Sequence, residues 1–206
     1  MQLFTIHEKA SREETFWQWF SANSSKIFYY EEDADKISAE IEEHIKQVNP
    51  SLTFEISPIN GYKRNFAISA GGNLEAFDAV KQLYDVKPNF DEWTISKFKQ
   101  RQPLPLSVTI ANRQIKPEDV KYMFAQDKTP HKVGIVLFFK DYCEEQKSEY
   151  KKLALSYIDK LFGEHDVAVY IGDVYLQNMK SQYISESKAI SEATGEFDNI
   201  KLLIAN

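Results

Sequence analysis

Cysteine occurs once in the 206 residues, at Cys143. Neither an intrachain disulfide nor a thiolate cluster can form, and a reducing compartment is the simplest home. Histidine is scarce as well: His7, His44, His131 and His165 are the whole supply, and none stands in an H-E-x-x-H helix or at zinc-site spacing. The G-x-S-x-G elbow of many hydrolases is missing. No apolar run approaches the ~20 residues of a membrane helix. Positive charge is in deficit, with 25 Lys and Arg against 31 Asp and Glu, a formal net charge of −6. That balance opposes sequence-independent binding to nucleic acid or to an anionic membrane. Met1 to Glu8 has no basic n-region followed by an apolar core, so no secretory signal is read and the expectation is a cytoplasmic protein. No cofactor and no metal is implied.

What the chain does have is aromatic and aliphatic bulk. Fourteen Phe, eleven Tyr and three Trp, within 43% hydrophobic residues, suffice for a sizeable core. The stretch from Leu52 to Arg101 is the most ordered in pattern. Leu52, Phe54 and Ile56 alternate with polar neighbours, and so do Tyr62, Arg64, Phe66 and Ile68, the period of two that one buried strand face produces. Between them Asn60-Gly61 supplies positive φ angles for a hairpin, which makes the two strands antiparallel. The period then changes. Leu74, Phe77, Val80, Leu83 and Tyr84 share a helical face behind Asn73 as N-cap, and Pro88 lies past the helix end. Trp93 to Phe98 forms a third strand, and a helical crossover sets it parallel to the second.

Upstream, Ser11-Arg12-Glu13-Glu14 matches a capping box. In the helix that follows, Phe16, Trp19 and Phe20 fall on one face, which docks on the sheet, whereas Trp17 points elsewhere and is the candidate for contact with a partner. A second helix, from about Asp33 to Val48, carries the stripe Ala34, Ile37, Ile41, Ile45 and Val48 and ends at Asn49-Pro50. The acidic run Glu31 to Asp35 suits a solvated helix N-terminus better than a cation site.

Gln102-Pro103-Leu104-Pro105 is a boundary, because two prolines so close suit neither a helix nor a central strand. It separates residues 1–101 from 102–206. Beyond it Leu106, Val108 and Ile110 alternate, and further strands are expected at about Val120 to Ala125 and at Val133 to Phe139, the latter buried on both faces. Asp141 with Glu144 is positioned to cap a helix whose stripe is Tyr150, Leu153, Ala154, Tyr157, Ile158 and Leu161, ended by Gly163. Val167, Val169 and Ile171 suit one more strand; the tail from Met179 to Asn206 is ambiguous, with Ile200, Leu202 and Ile204 suiting a terminal edge strand and the Ser- and Glu-rich segment before them a loop or a loosely docked helix. Both halves thus show strand, strand, helix, strand, offset by about 70 residues. The expected fold is α+β: a mixed, mainly antiparallel sheet with helices packed on it, built from two ββαβ-like halves.

Chemistry has few places to reside. Ser69-Ala70-Gly71-Gly72-Asn73 joins a strand to a helix N-terminus, a position where backbone N–H groups receive anions, with Arg64 or Lys97 available to hold the charge. The Lys-Ser/Thr pair of a phosphate loop and the G-x-G-x-x-G spacing are both missing. Lys97, Lys99 and Arg101, with Lys63 and Arg64 across the hairpin, make the most basic region and alternate with Trp93 and Phe98, a mixture that can bind single-stranded nucleic acid. The net charge of −6 and the ordinary use of Lys and Arg on edge strands favour a solvated edge over nucleic-acid binding. Glu40 and His44 stand one helical turn apart, which suits a surface hydrogen bond, and Glu164-His165-Asp166 reads as a polar turn. Cys143 near a helix N-terminus has only that position to activate it.

The succession Phe16-Trp17-x-Trp19-Phe20, Leu52-Thr53-Phe54-Glu55-Ile56, Ile68 to Asn73, Trp93-Thr94-Ile95, Phe98-Lys99 and Leu161-Phe162-Gly163-Glu164 resembles a pattern in an uncharacterised family of bacterial proteins. The resemblance spans Phe16 to Ile171 and implies bacterial origin and kinship of fold, with no activity or catalytic residues attached. The functional expectation is a non-enzymatic protein-interaction or regulatory module, of adaptor or immunity type, whose partner is another protein. The alternatives are a small-molecule anion binder or enzyme using Ser69 to Asn73, and nucleic-acid binding through Lys97 to Arg101.

Overall fold

The computed structural model describes residues 10–105, 107–110 and 112–205. His7, the Met1 to Glu8 segment and Leu106, read above, lie outside them. The chain divides into two compact units, Met1–Lys99 and Gln100–Asn206.

The first unit opens with α1 (Arg12–Phe28) and α2 (Ala34–Val48). The capping box forms as the sequence predicts: the Ser11 hydroxyl accepts the Glu14 N–H at 3.1 Å and the Glu14 carboxylate accepts the Ser11 N–H at 2.8 Å. Ile37, Ile41, Ile45 and Val48 are buried along α2, while Ala34 is exposed. Strands β1 (Thr53–Ile56) and β2 (Arg64–Ser69) pair antiparallel. Their turn sits one residue later than Asn60-Gly61. Asn60 and Lys63 exchange backbone bonds of 2.9 and 3.1 Å around Gly61 and Tyr62. Only Gly61 (φ +63) needs a left-handed backbone there, and Tyr62 is an exposed tip residue, not a strand residue.

Helix α3 (Phe77–Asp85) then crosses to β3 (Trp93–Lys97), which lies parallel to β2 in the order β1-β2-β3. Asn73 caps a 3-10 turn that leads into α3, accepting the Glu75 N–H at 3.1 Å. That extra turn rotates Leu74 out to solvent, contrary to the expected stripe; Phe77, Val80 and Leu83 hold the buried face. The core centres on Phe66, whose ring lies 4.9 to 6.4 Å from those of Phe16, Trp17, Phe20, Phe54 and Trp93.

The second unit begins with a short hairpin, β4 (Val108–Ile110) with β5 (Arg113–Ile115), of which only β4 was anticipated. Strands β6 (Val120–Gln126) and β7 (Val133–Phe139) pair antiparallel, α4 (Lys147–Phe162) follows, and β8 (Ile171–Asn178) lies parallel to β7. The sheet order is β8-β7-β6-β9, with β9 (Lys188–Ala189) a two-residue edge. All six stripe residues of α4 are buried. Its start differs from expectation: Cys143 holds the N-cap position of the preceding 3-10 turn without a side-chain cap, and Glu144 accepts instead from the Tyr142 hydroxyl and the Lys147 ammonium.

Two further expectations are corrected. Residues Glu164–Tyr170 form a helix, α5, so Val167 and Val169 are not strand residues. Gly163 (φ +79) ends α4 while its carbonyl accepts the Val167 N–H at 3.0 Å, opening the next turn. The Lys132 ammonium donates to the carbonyls of Ala168 and Ile171 at the other end of α5, satisfying groups that a helix terminus leaves open. The tail is likewise helical, α6 (Ala193–Ile204). Ala193 and Phe197 are buried and Ile200 and Ile204 pack on the core, at spacings of one helical face, while Leu202 and Leu203 are 67% and 78% exposed. The fold is α+β with mixed, mainly antiparallel sheets. Strand, strand, helix, strand recurs in both units, each with its own sheet.

Candidate functional site

The Ser69 to Asn73 turn is closed by its own bonds. Buried Ser69 accepts the Gly71 N–H on its hydroxyl at 3.0 Å, the Asn73 N–H donates to the Ala70 carbonyl at 3.1 Å, and the Asn73 amide oxygen takes the Glu75 N–H. Gly71 (φ +59) and Gly72 (φ +81) carry the chain through conformations that residues with a Cβ rarely adopt. The N–H groups of Gly71 and Asn73, which an anion would need, are thus spent inside the loop.

Arg64 does not face that turn. It stands at the opposite end of β2, about 16 Å away at the ordinary rise of a strand, and is 1% exposed. Its Nε donates to the Ser57 carbonyl at 2.8 Å, Nη1 to the Phe28 carbonyl, and the guanidinium grips both oxygens of Glu31 at 2.8 and 2.5 Å. The cation also lies 4.8 Å from the Tyr30 ring centroid. The hydrogen bond from Arg64 holds the Glu31 carboxyl below the usual carboxylate range. Arg64 therefore joins the end of α1, the end of β1 and the Glu31 turn, and it is corrected from anion holder to internal strut.

Trp17 is also corrected. It is 3% exposed and donates its indole N–H to the Leu83 carbonyl at 2.7 Å, so it packs on α3 while Phe16 and Phe20 pack on the sheet. A helix covered on two sides buries adjacent positions, which a single-face pattern does not foresee. Trp19 is the partly exposed member, stacked on His44 with ring centroids 4.0 Å apart; Glu40 pairs with Lys26 and not with His44.

The basic stripe is dispersed. Lys97 and Lys87 flank the Tyr84 ring at 5.0 and 3.8 Å, and Lys63 lies by Tyr62. Lys99 ends the first unit, and Arg101 belongs to the second. There Arg101 bonds to Asp198 at 2.7 and 3.0 Å, to Asp166 at 3.1 Å and to the Phe162 carbonyl at 3.2 Å. Burial pushes the Asp166 carboxyl up, but bonds from Lys201, His165 and Arg101 outweigh it and leave the group below its ordinary value.

His131 contacts the Ile204 carbonyl at 2.9 Å, and Cys143 approaches the Gln146 amide oxygen at 3.6 Å. No group of three or more His, Cys, Asp and Glu among the described residues could hold a metal ion. No helix there is long and apolar enough to cross a membrane.

One concavity of the first unit was not signalled by the sequence. An open groove of about 920 Å³ runs beside the N-terminal half of α1, lined by Ser11, Glu14, Trp17, Gln18, Val86 and Pro88 among others. Its exposed apolar part includes Val86 and Pro88, Trp17 lines it almost wholly buried, and Glu14 is its charged member. Val86 and Pro88 follow α3 in a connection with no periodicity, so only the docking of that connection beside α1 brings them to the groove. The fold and this surface describe an α+β protein of two ββαβ units with an open groove on the first. No family model, curated protein or solved structure matches the chain.

Proposed function

We propose that this is a non-enzymatic protein-interaction module, regulatory or adaptor-like, that takes a peptide segment of another protein into the groove beside α1. The groove itself carries the reading: a wide, shallow surface whose exposed apolar members are Val86 and Pro88, with polar margins of Ser11, Glu14 and Gln18, is the layout of a peptide site rather than of an enclosed small-molecule pocket. The bound segment has an apolar anchor for Val86 and Pro88 and a basic residue for Glu14.

The test tethers the full chain, captures proteins from a lysate, and repeats the capture with Val86→Asp and Gln18→Arg, both exposed positions. Binding of the same protein should fall at least about tenfold in each variant while the thermal midpoint stays unchanged. Capture that both variants retain, or no specific capture by the parent chain, overturns the reading.

A further inference from the structure

Strand β8 forms one edge of its sheet, and among the described residues only β7 pairs with it. At its start the Ile171 N–H donates to the Val167 carbonyl, the Ile171 carbonyl accepts from Lys132, and the Asp173 N–H donates to the Asp127 carboxylate at 2.7 Å; among the described residues, no backbone bond outside the sheet ladder involves Val174 to Gln177. Its eight residues, Ile-Gly-Asp-Val-Tyr-Leu-Gln-Asn, include no Lys, Arg or Pro, the residues with which open edges are commonly guarded. The irregular pairing opposite Val133 to Ile135 is confined to its first turn of sequence, and from Val174 to Asn178 the register is continuous. Tyr175 in the middle is 46% exposed.

The sequence of this edge is complementary to itself about Tyr175. In an antiparallel pair related by a two-fold axis, directly opposed residues point to the same face. An axis through Tyr175 sets Val174 against Leu176 of the second copy, both on the core side. On the other side Asp173 meets Gln177, and Tyr175 meets its own counterpart. Ile171 would face Met179. Asp173 already accepts the Tyr175 hydroxyl at 2.8 Å, and an opposing Gln177 amide supplies a second donor without setting carboxylate against carboxylate. Moving the axis by one residue loses this match: centred on Val174 it opposes Ile171 to Gln177, and centred on Leu176 it opposes Asp173 to Met179.

We infer that β8 pairs antiparallel with β8 of a second copy of this chain about an axis through Tyr175, joining the two sheets into one. This edge belongs to the second unit and the α1 groove to the first, and either proposal stands or falls without the other. Light scattering on the full chain should show the mass rising from 23.9 kDa toward twice that value over about 1 to 500 µM, the range suited to a micromolar association. Tyr175→Lys places two ammonium groups face to face, and the mass should return to that of one chain. Opposed Cα atoms in an antiparallel pair lie about 4.5 to 5.5 Å apart, within disulfide reach. In a Cys143→Ser background, Tyr175→Cys should therefore form a covalent dimer on mild oxidation at least about tenfold faster than the exposed control Leu203→Cys. This second variant decides the matter if Tyr175→Lys fails to fold. A single mass of one chain throughout, a dimer that survives Tyr175→Lys, or cross-linking no faster than the control overturns the inference.

Discussion

Replacing Arg64 by Ala deprives the Phe28 and Ser57 carbonyls of their donor and leaves Glu31 without its cation. Removing one member of a buried charge-paired set costs about 3 kcal/mol or more. Glu31→Gln is milder, at most about 1 kcal/mol, because its carboxylate is largely in solvent and the exposed side of such a pair is screened. Arg64→Lys should not restore the parent value, since an ammonium cannot span two carbonyls and a carboxylate in the plane of a guanidinium. Urea unfolding of the three variants gives the comparison; equal losses for Arg64→Ala and Glu31→Gln would mean that the salt bridge, and not the carbonyl contacts, is what Arg64 contributes. None of this was visible in the sequence. Arg64 read as one of the alternating set Tyr62, Arg64, Phe66 and Ile68 and as a holder for an anion, and its partner Glu31, 33 residues earlier, read as one acid in a helix-terminal run. Side chains that join distant turns leave no periodic trace.

At the scale of the element, legibility followed periodicity. The capping box of α1, the α4 stripe and the two-sided burial of β7 could be read because their patterns are long enough to separate a period of 3.6 from one of 2. The seven-residue α5 could not, since Val167, Val169 and Ile171 alternate like a strand; the Gly163 break and the Lys132 ammonium on its terminal carbonyls decide the outcome. In α6 the same ambiguity set Ile200, Leu202 and Ile204 against Ala193, Phe197, Ile200 and Ile204, and packing of Phe197 on Phe162, with ring centroids 4.3 Å apart, selects the helical set. The two assignments differ in a measurable way. Phe197→Ala should cost about 3 to 5 kcal/mol, as a core phenylalanine does, whereas Leu203→Ser should change stability by less than about 0.5 kcal/mol, as an exposed site does. A large loss for Leu203→Ser in chemical denaturation would contradict the helical tail. Among the candidate site residues, the Ser69 to Asn73 turn was legible as a turn and as a cap, because Gly-Gly-Asn carries its conformation locally. The groove was not, because it arises from docking.

For the molecule as a whole, the charged groups are arranged so that acid and alkali act on different residues. Glu31, Asp198 and Glu196 are held below their ordinary values by hydrogen bonds from Arg64, from Arg101, and from Lys188 with Tyr122; Asp127 is held down by the backbone N–H groups of Asp173 and Thr129. A carboxyl whose folded value lies below its unfolded one contributes stability at pH above the unfolded value, and loses it as the pH falls through the folded one. With unfolded carboxyls titrating near pH 4, acid unfolding should set in below about that pH and not before. At the alkaline end, burial followed by the bond to Glu196 raises the Tyr122 hydroxyl, and burial followed by the bond to Glu144 pushes Tyr142 up to about 12. For these groups the sign reverses: their stability is complete below an unfolded value of about 10 and is lost above it, as the unfolded chain ionises first. Thermal midpoints recorded across pH should thus trace a plateau bounded by about pH 4 and about pH 10. Tyr122→Phe supplies the control. It removes a hydroxyl bonded to Glu196 at 2.6 Å, so the alkaline fall should become shallower, while the parts of the acid limb that Glu31, Asp127 and Asp198 carry keep their position. An alkaline limb unchanged by Tyr122→Phe would show that tyrosine ionisation at this position does not govern the high-pH boundary.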